Sequence, residues 1–568
     1  MPTARELLDA ADRAPSPERE RLRLAAAAEW LAAGELHKAQ SALEPLQLDT
    51  TPKGLRPLRA LLGAELALAQ QAPGLAAQWL EDPRAGFDGI DDLPLEIRLL
   101  QVTARLQAAQ RLHLAAAQTL ALLDPLLSTA EQQPNRIRLW GQITRASATE
   151  LHQARPRATG DWRGWVELAL VAIDPPYQWP QHLAAVQGWQ ERWPSHPGND
   201  PWPSELAAIL QQLDRPARRV ALLLPLSGPL ERVGQAVLAG FLTGYYEALE
   251  DSPTLVERIT VIDTNTLDWR HLPAGAFQEH DLLVGPLEKT HLSALAAVPP
   301  DSPILGLNYL PETQRAPANM VQFGLAVEDS VDVSAELMAR DGHRNIVAVA
   351  PSSAWGDRVI ARLEQSCQAH GCDLIATNFY TAEPSYSDAV ARVLGVTASR
   401  ERGRALGRVL GVGVEAQPRR RQDLDAVFIA ADAEQGRLLV PLLKFHFAGD
   451  LPVYGLPSLY EGHPDPDKDR DLNGVRLNDL PWMVNNHPGA LELASTWPEL
   501  YRQQPRLLLF GRDAWALLGR LEALSVETAS FPGATGRLRI QQQRVVRTPT
   551  PARFRSGRLV PDGRPTSP

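Results

Sequence analysis

The chain has 568 residues, 44% hydrophobic and 22% charged, with a formal net charge of −10. At roughly 150 residues per domain, this length implies two or three domains with ample apolar core, and the composition excludes a disordered chain. The acidic balance excludes a general nucleic-acid binder, which needs a basic footprint, and no run of about 18 apolar residues is present to form a membrane-spanning helix.

Residues 1 to about 155 are rich in Ala, Leu, Gln and Arg, all good helix formers. Helices are expected at 24–33 and 36–46, with Gly34 as the stop between them, then at 58–68 and 75–80, and at 97–108 and 112–123. EWLAAGELHKAQSAL from Glu29 and RLQAAQRLHLAAAQTL from Arg105 are alike and lie about two units of 37 residues apart. That spacing predicts paired-helix repeats of tetratricopeptide type, with small Ala residues letting helices pack closely, and a plain helical bundle is the alternative.

From Thr159 to Pro203 tryptophan and proline accumulate. Trp162, Trp165, Trp179, Trp189, Trp193 and Trp202 are expected to staple the last helices and the linker, with helices at 164–172 and 182–192. The domain boundary is placed near 213–218. This gives a helical-repeat domain over 1–213 and a second domain over 214–568.

The second domain opens with RRVALLLPLSGPLERVGQAVLAGFLTGYYEA from Arg218. Val220 to Leu224 is a continuous apolar run, the mark of a strand buried on both faces. Pro225, Ser227, Gly228 and Pro229 make a turn, and Val233, Val237, Phe241 and Tyr245 then recur at helical spacing. Strands at 256–263, 282–284, 304–307, 345–350, 373–379, 426–430 and 451–454 alternate with helices from Glu288, at 355–369 and at 434–447. This β-α alternation predicts parallel sheets, long enough for two lobes with a cleft between them. Ligands of such sheets gather beyond the carboxyl ends of the strands, so Ser227, Gly228 and Asn308 are the cleft candidates. The Ser227–Gly228 turn offers N–H groups and a hydroxyl to a small anion, and capping of the following helix is its plainer role.

Enzyme signatures are missing: the chain contains no GxSxG, HExxH, P-loop or complete GxGxxG. Its 13 histidines do not pair at metal-ligand spacing on any expected helix, and no cofactor is assigned. Asp469, Asp471, Asn473 and Gly474 fit the start of a calcium loop, but the twelfth position is Leu480 rather than the bidentate Glu, so no metal is assigned either. Arg400, Arg402, Arg404 and Arg408, with Arg419, Arg420 and Arg421, form the main basic cluster. It reads as a charged insertion at a sheet edge, and Arg419, Arg420 and Arg421 are the candidates for docking an acidic partner or an anionic envelope polymer. The two cysteines are Cys367, at the end of an expected helix, and Cys372, opening the next strand. They are a disulfide candidate, and two buried free thiols are the alternative.

The opening LLLPLSGPL…GQAV…GF…YY resembles the start of the LpoA family, outer-membrane lipoprotein activators of class A penicillin-binding proteins. Later segments agree in order: LLVGPLEK from Leu282, FGLAVED from Phe323, RRRQDLDAVFIAA from Arg419, FHFAGDLPVYGLPSLYEG from Phe445, DLNGVRLNDLPW from Asp471, GATGRLRI from Gly533 and ARFRSGRLVP from Ala552. The resemblance covers about Arg218 to the end in detail. It implies a two-lobed fold of the type I periplasmic-binding-protein kind, entering its second lobe near 323–329 and returning near 457–462. It also implies a non-catalytic regulator that docks on a class A penicillin-binding protein and stimulates its transpeptidase step, with peptidoglycan as a further contact. The implied location is the periplasmic face of the outer membrane. The first residues lack a signal sequence and a cysteine for lipid attachment. The expectation is therefore that the signal and lipidated cysteine lie outside this sequence, and that the membrane is met only through that anchor. The alternative is a periplasmic solute receptor for amino acids or small anions.

Overall fold

The computed structural model describes residues 3–88, 91–211, 218–251, 256–273, 275–382, 385–411, 417–526 and 529–563. It divides into two compact units, one of Met1–Pro175 with Ala185–Ala207 and one of Pro176–Ala184 with Ala208–Pro568. The boundary expected near 213–218 falls largely outside the described residues. The segment Pro176–Ala184, which a single cut there would leave with the helices, groups with the second unit.

The first unit is helical. Glu18–Ala32 packs on Leu36–Leu43, Arg56–Ala69 on Pro73–Glu81, and Leu93–Ala109 on His113–Leu123. The first helix of each of these pairs also packs on the first helix of the next pair, which is the stacking expected of tetratricopeptide-like repeats. The repeat is visible in its turns. Gly34, Gln71 and Arg111 all take positive φ, at 75°, 59° and 61°. Each is followed by the same closing bond: Glu35 N to Trp30 O at 2.8 Å, Ala72 N to Ala67 O at 2.9 Å, and Leu112 N to Gln107 O at 2.8 Å. These are left-handed helix stops with the same hydrogen-bond reach. The middle one is the repeat lying between the two stretches matched by sequence. Ala26, Ala27 and Ala39 are fully buried at the helix contacts, where a larger side chain would hold the helices apart.

The tryptophan cluster is divided rather than a single staple. In the first unit, Trp165, Trp189 and Trp193 set their rings edge-on around His196, and the Trp189 indole donates to Gly164 O at 2.9 Å. Trp179 belongs to the second unit, with its ring 6.5 Å from that of Trp515.

The second unit holds two sheets. The first contains β1 (Arg218–Leu224), β2 (Val256–Asp263), β3 (Leu282–Val284), β4 (Ile304–Gly306) and β5 (Met320–Gln322), all parallel in the order β2-β1-β3-β4-β5. The second contains β6 (Asn345–Pro351), β7 (Asp373–Tyr380), β8 (Ala426–Ile429), β9 (Val453–Gly455) and β10 (Arg476–Asp479), parallel in the order β7-β6-β8-β9-β10. The chain leaves the first sheet after Gln322, as expected. Its return is later than expected: β10 still adds to the second sheet, because Arg476 pairs with Tyr454 beyond the 457–462 segment. Only β11 (Phe531–Pro532), β12 (Arg537–Gln541) and β13 (Arg544–Thr548) rejoin the first sheet, with β13 beside β5. Across the single residue Pro549, β14 (Thr550–Arg555) and β15 (Arg558–Pro561) complete the second sheet as an antiparallel edge on β10. The two-lobed α/β fold of the periplasmic-binding-protein kind is thus present, with a third crossing added at the C-terminus.

Two helices, Glu231–Asp251 and Pro505–Leu517, cross between the lobes at very short range. A Cβ added at Gly240 would lie 1.9 Å from Leu508 O, and one at Gly511 would lie 2.1 Å from Val237 O. One face of the pair, Ala236, Ala239, Leu508 and Leu509, belongs to the core of the second sheet. The other face, Val237, Phe241, Phe510 and Trp515, belongs to the core of the first. One helix pair therefore anchors both lobes.

Candidate functional site

The strand–turn–helix at β1 forms as read from sequence. Gly228 takes φ 72°, a left-handed conformation that suits glycine, and Gly234 presses on the turn so closely that an added Cβ would lie 1.9 Å from Pro225 O. The turn is satisfied from within. At the end of β2 the Asp263 carboxylate accepts the Ser227 hydroxyl, Leu226 N at 3.0 Å and Asn265 N at 3.1 Å. The Asn265 amide in turn donates to Ser227 O at 2.6 Å. These donors, the Ser227 hydroxyl first, hold the Asp263 carboxyl below the usual aspartate range. A ligand carboxylate arriving at Ser227 would meet this anion rather than an open set of donors.

Asn308 lies just past β4, two strands from β1, a separation of about 10 Å at ordinary strand spacing. Its amide donates to Leu287 O at 2.7 Å, and its carbonyl accepts Tyr309 N at 2.9 Å. Both ends of the side chain brace the loops around β3 and β4. Ser227 and Asn308 thus share one edge of one sheet, and each is turned to local contacts. Neither of the two cavities described, one at the edge of β7 and one around Leu272, Phe277 and Leu295, is lined by Ser227, Gly228 or Asn308.

Buried polar contacts tie the lobes together. The Arg547 guanidinium on β13 donates to Gly324 O at 3.0 Å and reaches Asp329, at the start of the second lobe, at 3.0 Å. Asp513, fully buried, accepts Tyr177 Oη at 2.8 Å, Ala534 N at 2.7 Å and both the backbone N and the hydroxyl of Thr535. Burial pushes the Asp513 carboxyl up, and the four donors oppose that rise. Beside it, Arg520 is buried over the Phe531 ring and donates to Pro176 O and Ala516 O. Sequence reasoning gave none of these residues a site role, since the contacts Tyr177–Asp513, Arg520–Pro176 and Arg547–Asp329 join positions 336, 344 and 218 residues apart.

Part of the arginine cluster is a helix, where the sequence was read only as a charged insertion. Arg400, Arg402, Arg404 and Arg408 lie on Val396–Leu410, which Gly395 opens with φ 75°. Two glycines and dense charge masked its period. Arg419 is exposed, and its N–H donates to the Ser399 hydroxyl at 3.1 Å. Arg420 and Arg421 pair with Asp450 and Asp423 and, with Arg392 and Arg402, line a cavity of about 430 Å³. Arg392, on the helix Ser385–Val393, was not singled out from sequence.

Cys367 and Cys372 carry free thiols in the structure. Both are buried and within hydrogen-bonding reach of each other, with Gly371 as the left-handed helix stop between them, and burial pushes both thiols up. The Asp469 loop is a short 3-10 turn rather than a calcium loop. Asp469 is buried against the Arg437 guanidinium at 2.8 Å, and Asn473 accepts Gly557 N at 2.8 Å. No group of three metal-ligating side chains occurs among the described residues, and no helix among them is long and apolar enough to cross a membrane.

Among solved structures, the fold is similar to LpoA from Haemophilus influenzae in a monoclinic form, with a TM-score of 0.57 and 21% identity over 99% of this chain and 98% of that one. A second structure of full-length LpoA from the same organism gives a TM-score of 0.51 over the same shares. In sequence the chain is 26% identical to the penicillin-binding protein activator LpoA of Photobacterium profundum, over 79% of this chain and 74% of that protein. It is 27% identical to the protein of the same name from Vibrio antiquarius, over 78% and 75%. The model of the family described as "LppC putative lipoprotein" matches residues 2–557, across both units, from the first helices to the antiparallel edge. Helical repeats and two-lobed domain are therefore one family's inheritance rather than a chance fusion, and the chain belongs to the LppC lipoprotein family.

Proposed function

We propose that this chain is an envelope lipoprotein that binds a class A penicillin-binding protein and stimulates its transpeptidase step, performing no chemistry itself. The observation that carries this reading is the similarity to proteins named penicillin-binding protein activator, which runs through three-quarters or more of the chain. The geometry agrees with it. The turn that would hold a small anion in a solute receptor is closed by Asp263 and Asn265, and one helix pair sits in the cores of both lobes. A regulator of this kind works by binding one state of the synthase better than another. In this reading the second unit makes the contact and the helical repeats serve as spacer from the periplasmic face of the outer membrane. Peptidoglycan is a further ligand, and exposed Arg419 with Arg420 and Arg421 marks the docking side. Cys367 and Cys372 join as a disulfide in that oxidising compartment, which thiol alkylation of the exported protein would read as loss of both free thiols.

The test is direct binding. A class A penicillin-binding protein from the same source, immobilised in detergent, should capture the full chain saturably, and Arg419→Glu should weaken capture without changing the fold. Absence of saturable binding by the folded wild-type chain would remove the reading.

A further inference from the structure

We propose that the cavity at the edge of the second sheet is a binding site for a phosphate-bearing ligand, a phosphate or diphosphate group held by Arg392, Arg402, Arg420 and Arg421. The site shares Arg420 and Arg421 with the docking side proposed above, but small-anion binding and capture by the synthase are measured separately, and either can fail alone.

The fold brings the four arginines together from three segments. β7 is the outermost strand of its sheet, and Ala376 on it lines the cavity. The helix Ser385–Val393 supplies Arg392, the helix Val396–Leu410 supplies Arg402, and the segment leading to β8 supplies Arg420 and Arg421. Gly395 makes the meeting possible. A Cβ there would lie 2.7 Å from Cγ of Arg421, so the bare glycine lets the Arg421 stem cross the start of the helix. The Arg421 backbone N–H fixes that crossing by donating to Leu394 O at 2.9 Å.

Charge and donor count then define the ligand. Arg420 meets both oxygens of Asp450, at 2.6 and 2.7 Å. Arg421 meets both oxygens of Asp423, at 3.0 and 2.7 Å. Each carboxylate orients its guanidinium and uses two of its five N–H donors, leaving three. Arg392 and Arg402 form no ion pair among the described residues. Among the described residues that line the cavity or pair with its arginines, four guanidinium charges face two carboxylates, leaving two positive charges without an ion pair. A phosphate monoester or diphosphate carries about two negative charges at neutral pH, whereas a single carboxylate would leave one cation unmatched. Arginine forks fit phosphate oxygens bidentately. Gly395 and Ala398 also line the cavity, at the start of a 15-residue helix. The first N–H groups of a helix lack intrahelical partners and favour an anion. At about 430 Å³, the cavity has room for a diphosphate and part of the group that bears it.

The test uses the full chain. Inorganic pyrophosphate, inorganic phosphate, succinate and sodium chloride at matched ionic strength are titrated by calorimetry and followed by thermal shift. Pyrophosphate should bind saturably and raise the melting temperature. The double variant Arg392→Ala with Arg402→Ala should bind at least about tenfold more weakly. Ala398→Glu is the second variant: it places a carboxylate in the first turn of the helix, where an acid suits the helix dipole and keeps the fold, and it should abolish binding. A shift that follows ionic strength alone, equal binding of succinate and pyrophosphate, or wild-type affinity in both variants would overturn the proposal. The source of the group is separated with neutral vesicles carrying a diphosphate-headed lipid, compared with phosphatidylglycerol vesicles of equal surface charge. Cosedimentation with the first alone, released by pyrophosphate, assigns a lipid-borne diphosphate. Pyrophosphate binding without cosedimentation assigns a soluble one, and both outcomes support the site.

Discussion

Tyr177 donates its hydroxyl to the Asp513 carboxylate at 2.8 Å, joining positions 336 residues apart in the chain. The bond lies inside the second unit, and through it the segment that follows the helical repeats becomes part of the two-lobed core. The Tyr177 ring also packs on Trp482 and Phe531, which belong to the cores of the second and first sheets.

Removing that hydroxyl leaves Asp513 with three donors in a site without water contact. Tyr177→Phe should therefore cost about 1–3 kcal/mol in the second unit. Urea unfolding followed by near-ultraviolet circular dichroism checks this. An unchanged midpoint would mean that the bond contributes nothing.

The crossing of Glu231–Asp251 with Pro505–Leu517 leaves no space for a methyl group at Gly240 or Gly511. Gly240→Ala and Gly511→Ala should each destabilise by about 1–3 kcal/mol through overpacking against backbone. Gly474→Ala, at a glycine with nothing within 4 Å of the added Cβ but with φ 93°, separates the backbone cost from the packing cost.

The helical repeats carry two avoidable strains. Gln71 and Arg111 hold φ of 59° and 61° where the first repeat has Gly34. A left-handed conformation costs a non-glycine residue about 1–2 kcal/mol, so Gln71→Gly and Arg111→Gly should each raise the stability of the first unit, by up to about 1 kcal/mol. Thermal unfolding followed by far-ultraviolet circular dichroism reads the change.

Acid should loosen the β1 turn. The Ser227 hydroxyl, with the N–H groups of Leu226 and Asn265, lowers the folded pKa of Asp263 below its unfolded value. A depressed carboxylate contributes stability above the unfolded pKa, near about 3.9, and loses it as pH falls through the folded value. Asp263→Asn should therefore be less stable than wild type near neutral pH, and the difference should shrink as pH falls below the unfolded aspartate value. Urea midpoints across that range measure it, and a difference constant with pH would contradict the assignment.

The inner parallel strands were legible because burial on both faces writes continuous apolar runs: Val220–Leu224 and Leu282–Val284 are buried throughout and form strands as read. β5 was not, because three residues between Asn319 and Phe323 carry too little pattern. The return to the first lobe was misplaced because β10 continues the parallel series for one strand more. The hairpin β12–β13 turns on Gln542 and Gln543, both at positive φ, and so lacks the Asn-Gly or Asp-Gly signal of a tight turn. Ser227, Gly228 and Asn308 were correctly placed at strand ends, yet their roles depend on Asp263, Asn265 and Leu287, which only the folded sheet brings near. Arg420 and Arg421 stood out as a run of charge. Arg392 did not, because its place beside them is set by the turn at Gly395.

The most direct measurement is a reconstituted peptidoglycan synthesis reaction. A class A penicillin-binding protein from the same source is supplied with its lipid-linked substrate, with and without the full chain, and cross-linked products are counted over time. The account predicts a higher rate of cross-linking that saturates with added chain, and no products from the chain alone. An unchanged cross-linking rate in the presence of bound, folded chain would contradict it.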